Sequence, residues 1–329
     1  MKAFAYVNAA NEKEAVAALT GATRGRLLPM AGGMDLLGMM KDYIVSPERV
    51  VSIRSLDQNI VSSDGGLRIG AAAKIADLID HAQVRRLYPA LATAAEGIGT
   101  PQIRNVGTVG GNLMQRPRCW YFRNEEFHCL KKGGSRCFAV EGENQYHAIF
   151  GPGPCHIVHP SSLAVPAIAL AARMRVVGPA GEREVPADQY FLMPDRNLFG
   201  ETVLQPNELM THLILPAPGA VRSATYEVRY KQSHDWPIAA ASAALDVSGR
   251  TVRGARIVMG AVAPIPWRVE AAERVLAGKA ITEQTAMEAA DAAVQGAKAM
   301  SQNAYKIQVA RTAVKRAIMM AAGLKGNWA

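Results

Sequence analysis

The break Pro216-Ala217-Pro218-Gly219 divides this chain into two stretches whose patterns do not continue one another. Upstream, short apolar strands alternate with helices. Asn11 with Glu14 three residues on reads as a helix start that Gly21 ends. Strands are predicted at 26–30, 50–53, 67–71, 174–177 and 209–215, and helices at 36–40, 74–87, 89–96 and 161–173. Pro89 suits a first turn, where its missing N–H costs nothing. Downstream, strands come first (226–231, 238–247, 252–262) and two helices follow (282–300, 303–322). The fold class is therefore α+β, with a mixed α/β domain at 1–219 and a smaller α+β domain at 220–329. A length of 329 residues suits two domains.

Bulk composition excludes several classes. With 49% apolar and 20% charged residues the chain is globular rather than disordered. No apolar run reaches the roughly 18 residues that span a bilayer. Met1-Lys2-Ala3-Phe4-Ala5-Tyr6 leads into no signal-peptide core, so a cytoplasmic location is expected, with the periplasm reached only alongside a signal-bearing partner. The net charge of +9 is dispersed and accompanies no nucleic-acid motif. Its densest cluster, Arg116, Arg118, Arg123, Lys131, Lys132 and Arg136, overlaps the cysteines. Such charge serves either a solvated face or an anionic group.

Two glycine turns are candidate anion cradles. Leu28-Pro29-Met30 runs as a strand into Ala31-Gly32-Gly33-Met34-Asp35, with a helix from Leu36. Consecutive glycines let a backbone approach a diphosphate closely, and a helix start adds positive potential. A plain tight turn is the alternative. Residues 100–112 hold three glycines, two Asn and two Thr, including Gln102, Asn105, Thr108, Gly110, Gly111 and Asn112. They read as a polar cofactor cradle or a surface loop. Neither turn is the G-x-G-x-x-G dinucleotide fingerprint, and no Walker A occurs.

All four cysteines, Cys119, Cys129, Cys137 and Cys155, fall within 37 residues, spaced C-x9-C-x7-C-x17-C. They interrupt a Gly-, Pro- and Arg-rich stretch, 116–156, without period, which reads as a functional insertion. Disulfides, a zinc site and unrelated thiols are open readings. Zinc lacks its usual close C-x2-4-C pair, and disulfides suit a secreted chain. A [4Fe–4S] cluster tolerates long arms and is favoured. His128 and His156, beside cysteines, are outer-sphere candidates, with His147 and His159 flanking the segment. No H-E-x-x-H, G-x-S-x-G or paired-carboxylate signature is present, as when a cofactor carries the chemistry.

Together these motifs resemble the FAD-binding subunit of the xanthine dehydrogenase / molybdenum hydroxylase family, over nearly the whole chain. Ala31-Gly32-Gly33-Met34-Asp35-Leu36 is similar to its A-G-G-T-[ND]-L loop, and Gln102 to Asn112 to its Q-[IL]-R-N-x-[AG]-[ST]-x-G-G-N loop. His159-Pro160-Ser161-Ser162 resembles H-P-S-D, with Ser162 at the aspartate position. The cysteine insertion is similar to that of the aldehyde oxidoreductase flavin subunit, and also to that of the 4-hydroxybenzoyl-CoA reductase β subunit. The resemblance implies a PCMH-type FAD-binding domain of two α/β subdomains, followed by a domain of the CO dehydrogenase flavoprotein C-terminal type. It implies FAD against both glycine loops and near Ser162, Lys231 and Ile238, the last as an apolar lid. It further implies a [4Fe–4S] cluster on the four cysteines, and partners comprising a large molybdenum-cofactor subunit and a small [2Fe–2S] subunit. The implied activity is electron relay from partner [2Fe–2S] clusters through FAD to an external acceptor. A reductase of the hydroxybenzoyl-CoA type and a stand-alone flavoenzyme are the alternatives.

Overall fold

The computed structural model describes every residue except Arg24, Pro152, Ser233, Arg250, Lys325 and 327–329. Pro152 of the cysteine segment and Ser233 of the stretch expected near the flavin therefore lie outside the described residues.

Three sheets organise the chain. The first is parallel, with Arg49–Ser52 between Ala5–Asn8 and Leu27–Met30. Parallel neighbours need crossover connections, and the helices Glu12–Ala18 and Leu36–Lys41 lie in these. Asn11 caps the former as expected: its Oδ1 accepts the Glu14 N–H at 2.9 Å, while Glu14 reaches back to the Ala10 N–H at 2.9 Å. The second sheet has five antiparallel strands, Ile60–Ser63, Gly66–Gly70, Leu209–Leu215, Arg173–Gly178 and Gly181–Pro186, in spatial order. Packing of Ile75–Asp80, Pro89–Glu96 and Ala164–Ala169 against it builds the largest core, around Leu67, Ile69, Leu91, Ile168 and Leu213. The expected helix 74–87 is broken at His81, whose backbone is extended (φ −74°, ψ 114°). Gly181–Pro186 was missed because its exposed, charged residues show no apolar alternation.

The third sheet is four-stranded and antiparallel, with Ala239–Ser248 and Thr251–Gly260 central and Val221–Val228 and Trp267–Arg268 outside. Ala239, Ala241, Ala243 and Leu245 face the helices Glu283–Val294 and Tyr305–Ala321. Ala244 joins the core of the five-stranded sheet. Successive strand residues point to opposite faces, so burial on both sides explains the continuous small-residue run. Thr225 on the neighbouring strand donates to Ala90 O at 2.9 Å and meets Ser242 at 2.7 Å, fastening this sheet to the helix Pro89–Glu96. Gly296, at φ +81°, follows the end of the first of these long helices, earlier than the expected residue 300.

Residues 116–156 are irregular apart from the short turns Trp120–Arg123 and Leu130–Lys132. They still bury a small core: Tyr121, Phe122, Cys129 and Ala139 pack on Leu36, Met39, Met40 and Val50 beside the first sheet.

Candidate functional site

A cleft of about 1380 Å³ runs between the first sheet, the five-stranded sheet and the segment 234–237. Both glycine turns line it. Leu28, Pro29, Met30, Ala31, Gly32, Gly33, Met34, Asp35 and Leu36 form one wall, and Thr108, Gly110, Gly111, Asn112 and Ser162 contribute to another. Gln102 and Asn105 are exposed and lie outside the lining, with Asn105 Nδ2 donating back to Pro101 O at 2.8 Å. Lys231 is exposed away from the lining, and Ile238 is buried behind it, donating its N–H to Val228 O at 2.7 Å. Trp236 and Pro237 stand at the cleft edge where the apolar lid was expected. Arg229 is paired with Glu227 beside Gly97.

The two turns hold their backbone donors differently. Among the described residues, the N–H groups from Gly32 through Leu36 meet no protein acceptor, and Leu37 is the first to bond within the segment, onto Gly33 O at 3.0 Å. The second turn spends its donors internally. Gly107 donates to Ile103 O, Val109 to Ala73 O, Gly110 to Ala71 O and Asn112 to Thr108 O, all within 3.0 Å. The Gly111 N–H goes to Thr108 Oγ1 at 3.0 Å. Asn112 Oδ1 accepts from Ser161 Oγ at 2.7 Å and from the Leu163 N–H at 3.3 Å, so it orders the residues around Ser162. The first turn thus offers an anion several unpaired N–H groups. The second shapes the wall and presses on the first, since a Cβ on Gly32 would overlap the Val106 carbonyl oxygen.

Asp35 joins this wall to the cysteine segment. It caps no helix N–H. Its carboxylate instead accepts the Arg116 N–H at 2.8 Å, Arg123 at 2.7 Å and Arg118 at 2.8 Å. Arg118 also lies 4.6 Å over the Trp236 ring, linking three parts of the chain at the cleft. Arg116 and the buried Lys131 share Glu201, at 2.6 and 2.8 Å. Much of the basic cluster is therefore engaged by carboxylates. Arg136 points outward, towards Glu141.

The four cysteines are free thiols gathered into one group. Cys119 feels the charges of Cys129 and Cys137, and Cys137 and Cys155 hydrogen-bond. Burial pushes the Cys119 thiol up to about 12. In the bonded pair one sulfur holds the proton, so Cys155 is pushed up and Cys137 down. Backbone N–H groups of Phe122 and Tyr121 point at Cys119, those of His156 and Ala139 at Cys137, and that of Ile157 at Cys155. His147, rather than His128 or His156, has its ring on a cysteine, with Nε2 3.2 Å from Cys119 Sγ. The buried Trp120 Nε1 and His147 Nδ1 have no protein partner. Among the described residues, no three or more His, Cys, Asp or Glu side chains are placed to hold a metal ion.

His159 is wholly enclosed. Its Nδ1 accepts the Ser161 N–H at 3.3 Å, its ring meets Phe191 edge-on, and Nε2 has no partner. Burial depresses its pKa to about 4. Between there and the ordinary value of about 6.5 the unfolded chain binds more protons than the folded one. The stability this group confers is complete above about pH 6.5 and is lost as pH falls towards 4. His159→Phe should flatten the dependence of melting temperature on pH in that window; an unchanged slope would refute the assignment.

The cleft, its free donors and the cysteines beside it define a cofactor-binding redox protein. Residues 2–218 match the FAD binding domain in molybdopterin dehydrogenase, and residues 224–321 the CO dehydrogenase flavoprotein C-terminal domain. The chain is 33% identical to the aldehyde oxidoreductase FAD-binding subunit PaoB of Escherichia coli K12, over 94% of this chain and 96% of that one. It is 31% identical to the carbon monoxide dehydrogenase medium chain of Hydrogenophaga pseudoflava, over 88% and 87%. A solved structure of carbon monoxide dehydrogenase from the latter organism, lacking the Mo-pyranopterin moiety, superimposes with a TM-score of 0.77 at 30% identity, covering 98% of each chain. The chain belongs to the family of FAD-binding subunits of molybdenum hydroxylases. Among the described residues no helix is long and apolar enough to cross a membrane.

Proposed function

We propose that the cleft holds FAD with its diphosphate at the N–H groups of Gly32 to Leu36, and that Cys119, Cys129, Cys137 and Cys155 hold a [4Fe–4S] cluster. The chain then works in electron transfer within an assembly that includes a molybdenum-cofactor subunit and a [2Fe–2S] subunit. The observation that carries the flavin assignment is the row of unpaired backbone donors lining a large cleft. Support for the cluster comes from the mutual influence of the sulfurs, Cys119 with Cys129 and Cys137 and Cys137 with Cys155, from backbone N–H groups acting on three of them, and from the orphaned indole N–H of Trp120, the neighbour of Cys119. Such donors stabilise thiolate-bound iron and tune its potential. A cubane spreads its four thiolates more widely than a single ion does, so the absence of a single-ion site among the described residues is no test of the cluster.

Bound FAD and iron–sulfur groups supply the redox chemistry, and the protein supplies binding, orientation and electrostatics. Here Gly32 to Leu36 bind, Asp35 and Arg118 fix the cleft against the cysteine segment, and Trp236 with Pro237 covers its edge. The partner assignment rests on the multi-chain enzymes named for its relatives. In these terms the flavin domain is 1–219 and the C-terminal domain 220–329.

The deciding experiment quantifies flavin and iron in the purified assembly. About one FAD per copy of this chain is expected, and about four iron atoms in addition to those of the [2Fe–2S] subunit, from the clusters' compositions. Cys137→Ser should lower iron while flavin stays bound. A flavin-free assembly sinks the cleft assignment, and unchanged iron in the variant removes Cys137 from the ligand set.

A further inference from the structure

The turn Met300 to Lys306, which opens the long C-terminal helix, is bonded along its length to the second half of the cysteine segment. Asn144 is fully buried. Its Nδ2 donates to Ala139 O at 3.0 Å and to Ser301 Oγ at 2.9 Å, and its Oδ1 accepts the Gln302 N–H at 2.9 Å. Asn303, also fully buried, donates to His147 O at 3.1 Å and Ala148 O at 3.3 Å. Lys306 is 1% exposed, and its ammonium donates to Tyr146 O at 3.0 Å, His147 O at 3.0 Å and Ala261 O at 2.7 Å. Among the described residues no carboxylate pairs with it.

Burying an ammonium without a counterion costs several kcal/mol. Burial alone pushes this one down to about 7, so carbonyl dipoles or a nearby anion are needed to keep the proton. The backbone it grips leads to two of the cysteines. His147 places Nε2 3.2 Å from Cys119 Sγ, and the Ala148 N–H donates to the carbonyl of His156, the neighbour of Cys155, at 3.0 Å. The Lys306 charge is felt at the His147 ring.

We infer that Lys306 is a positioning residue for the cysteine site. Its contacts to the carbonyls of Tyr146 and His147, with the third on Ala261, fix residues 146–147 so that His147 meets Cys119 and the chain returns to Cys155, and its charge offsets that of a thiolate-bound cluster. This rests on the cluster assignment made above.

The test is Lys306→Met in the complete purified assembly, with iron and flavin per chain, and an EPR-monitored redox titration of the cluster. Flavin should stay at the wild-type level. Iron beyond that of the [2Fe–2S] subunit should fall at least twofold, or the retained cluster should titrate at a more negative potential, because a nearby positive charge has gone. Wild-type iron with wild-type potential overturns the inference, and so does loss of flavin in step with iron. If the variant is insoluble, Asn303→Ala decides: it strips two carbonyl contacts and keeps the ammonium, so iron should fall while the remaining cluster keeps its potential. Unchanged iron there overturns the clamp. A wild-type assembly whose iron is only that of the [2Fe–2S] subunit removes the cluster assignment instead. The clamp is then read by hydrogen exchange, where Lys306→Met must loosen residues 139–157 relative to the rest of the chain, and equal protection overturns it.

Discussion

Gly32→Val should give a chain that retains at least about tenfold less flavin than the wild type, the factor that roughly 1.4 kcal/mol represents, and that melts at a lower temperature. A Cβ at residue 32 would overlap the carbonyl oxygen of Val106. Both partners are backbone, so no rotamer change relieves the clash and the two turns must part. Overpacking of this kind costs about 1–3 kcal/mol or more, and it displaces the free N–H groups of Gly32 to Leu36 from the cleft. Gly38→Ala is the control, because its Cβ meets nothing within 4 Å and the residue lies outside the cleft lining. Flavin absorbance after gel filtration and a thermal melt measure both effects. Wild-type flavin in Gly32→Val would show that the contact between the turns does not govern the cradle.

Asp35→Ala is the second large effect. It removes the acceptor of the Arg116 N–H and leaves Arg118 and Arg123 without their carboxylate. Stripping one partner from a fully buried pair costs about 3–5 kcal/mol. Arg118 keeps 31% of its side chain exposed, so solvent screening reduces the cost to about 2–4 kcal/mol. Urea unfolding should show that loss, and limited proteolysis should cut the cysteine segment 116–156 faster. Asp35→Asn, which keeps an acceptor but not the charge, should recover part of the stability. An unfolding midpoint equal to the wild type in Asp35→Ala would mean that the network contributes nothing measurable.

The helix cap at Asn11, the first-turn Pro89, both glycine turns and the grouping of the cysteines could be read from residues close together in the chain, and the structure contains each. The expected site residues at both turns line the cleft except Gln102 and Asn105, which are exposed on the same short stretch. Lys231 and Ile238 were placed by likeness alone, and a shift of two residues brings Trp236 to the edge in place of Ile238. These residues lie in the loop between Val221–Val228 and Ala239–Ser248, where no strand or helix period says which side chain faces the cleft.

Alone, the sequence determined what neighbouring residues decide: where a turn must carry glycine, where a helix is capped, and that all four thiols fall in one short stretch of the chain. Only the tertiary structure decided which turn keeps its N–H groups free, that Asp35 joins Arg118 and Arg123, and that Lys306 reaches back to residues 146 and 147. Local hydrogen bonds and steric limits act over a few residues. Pairings across more than 80 positions exist because burying the sheets and helices brings those side chains together, and the distances follow from packing.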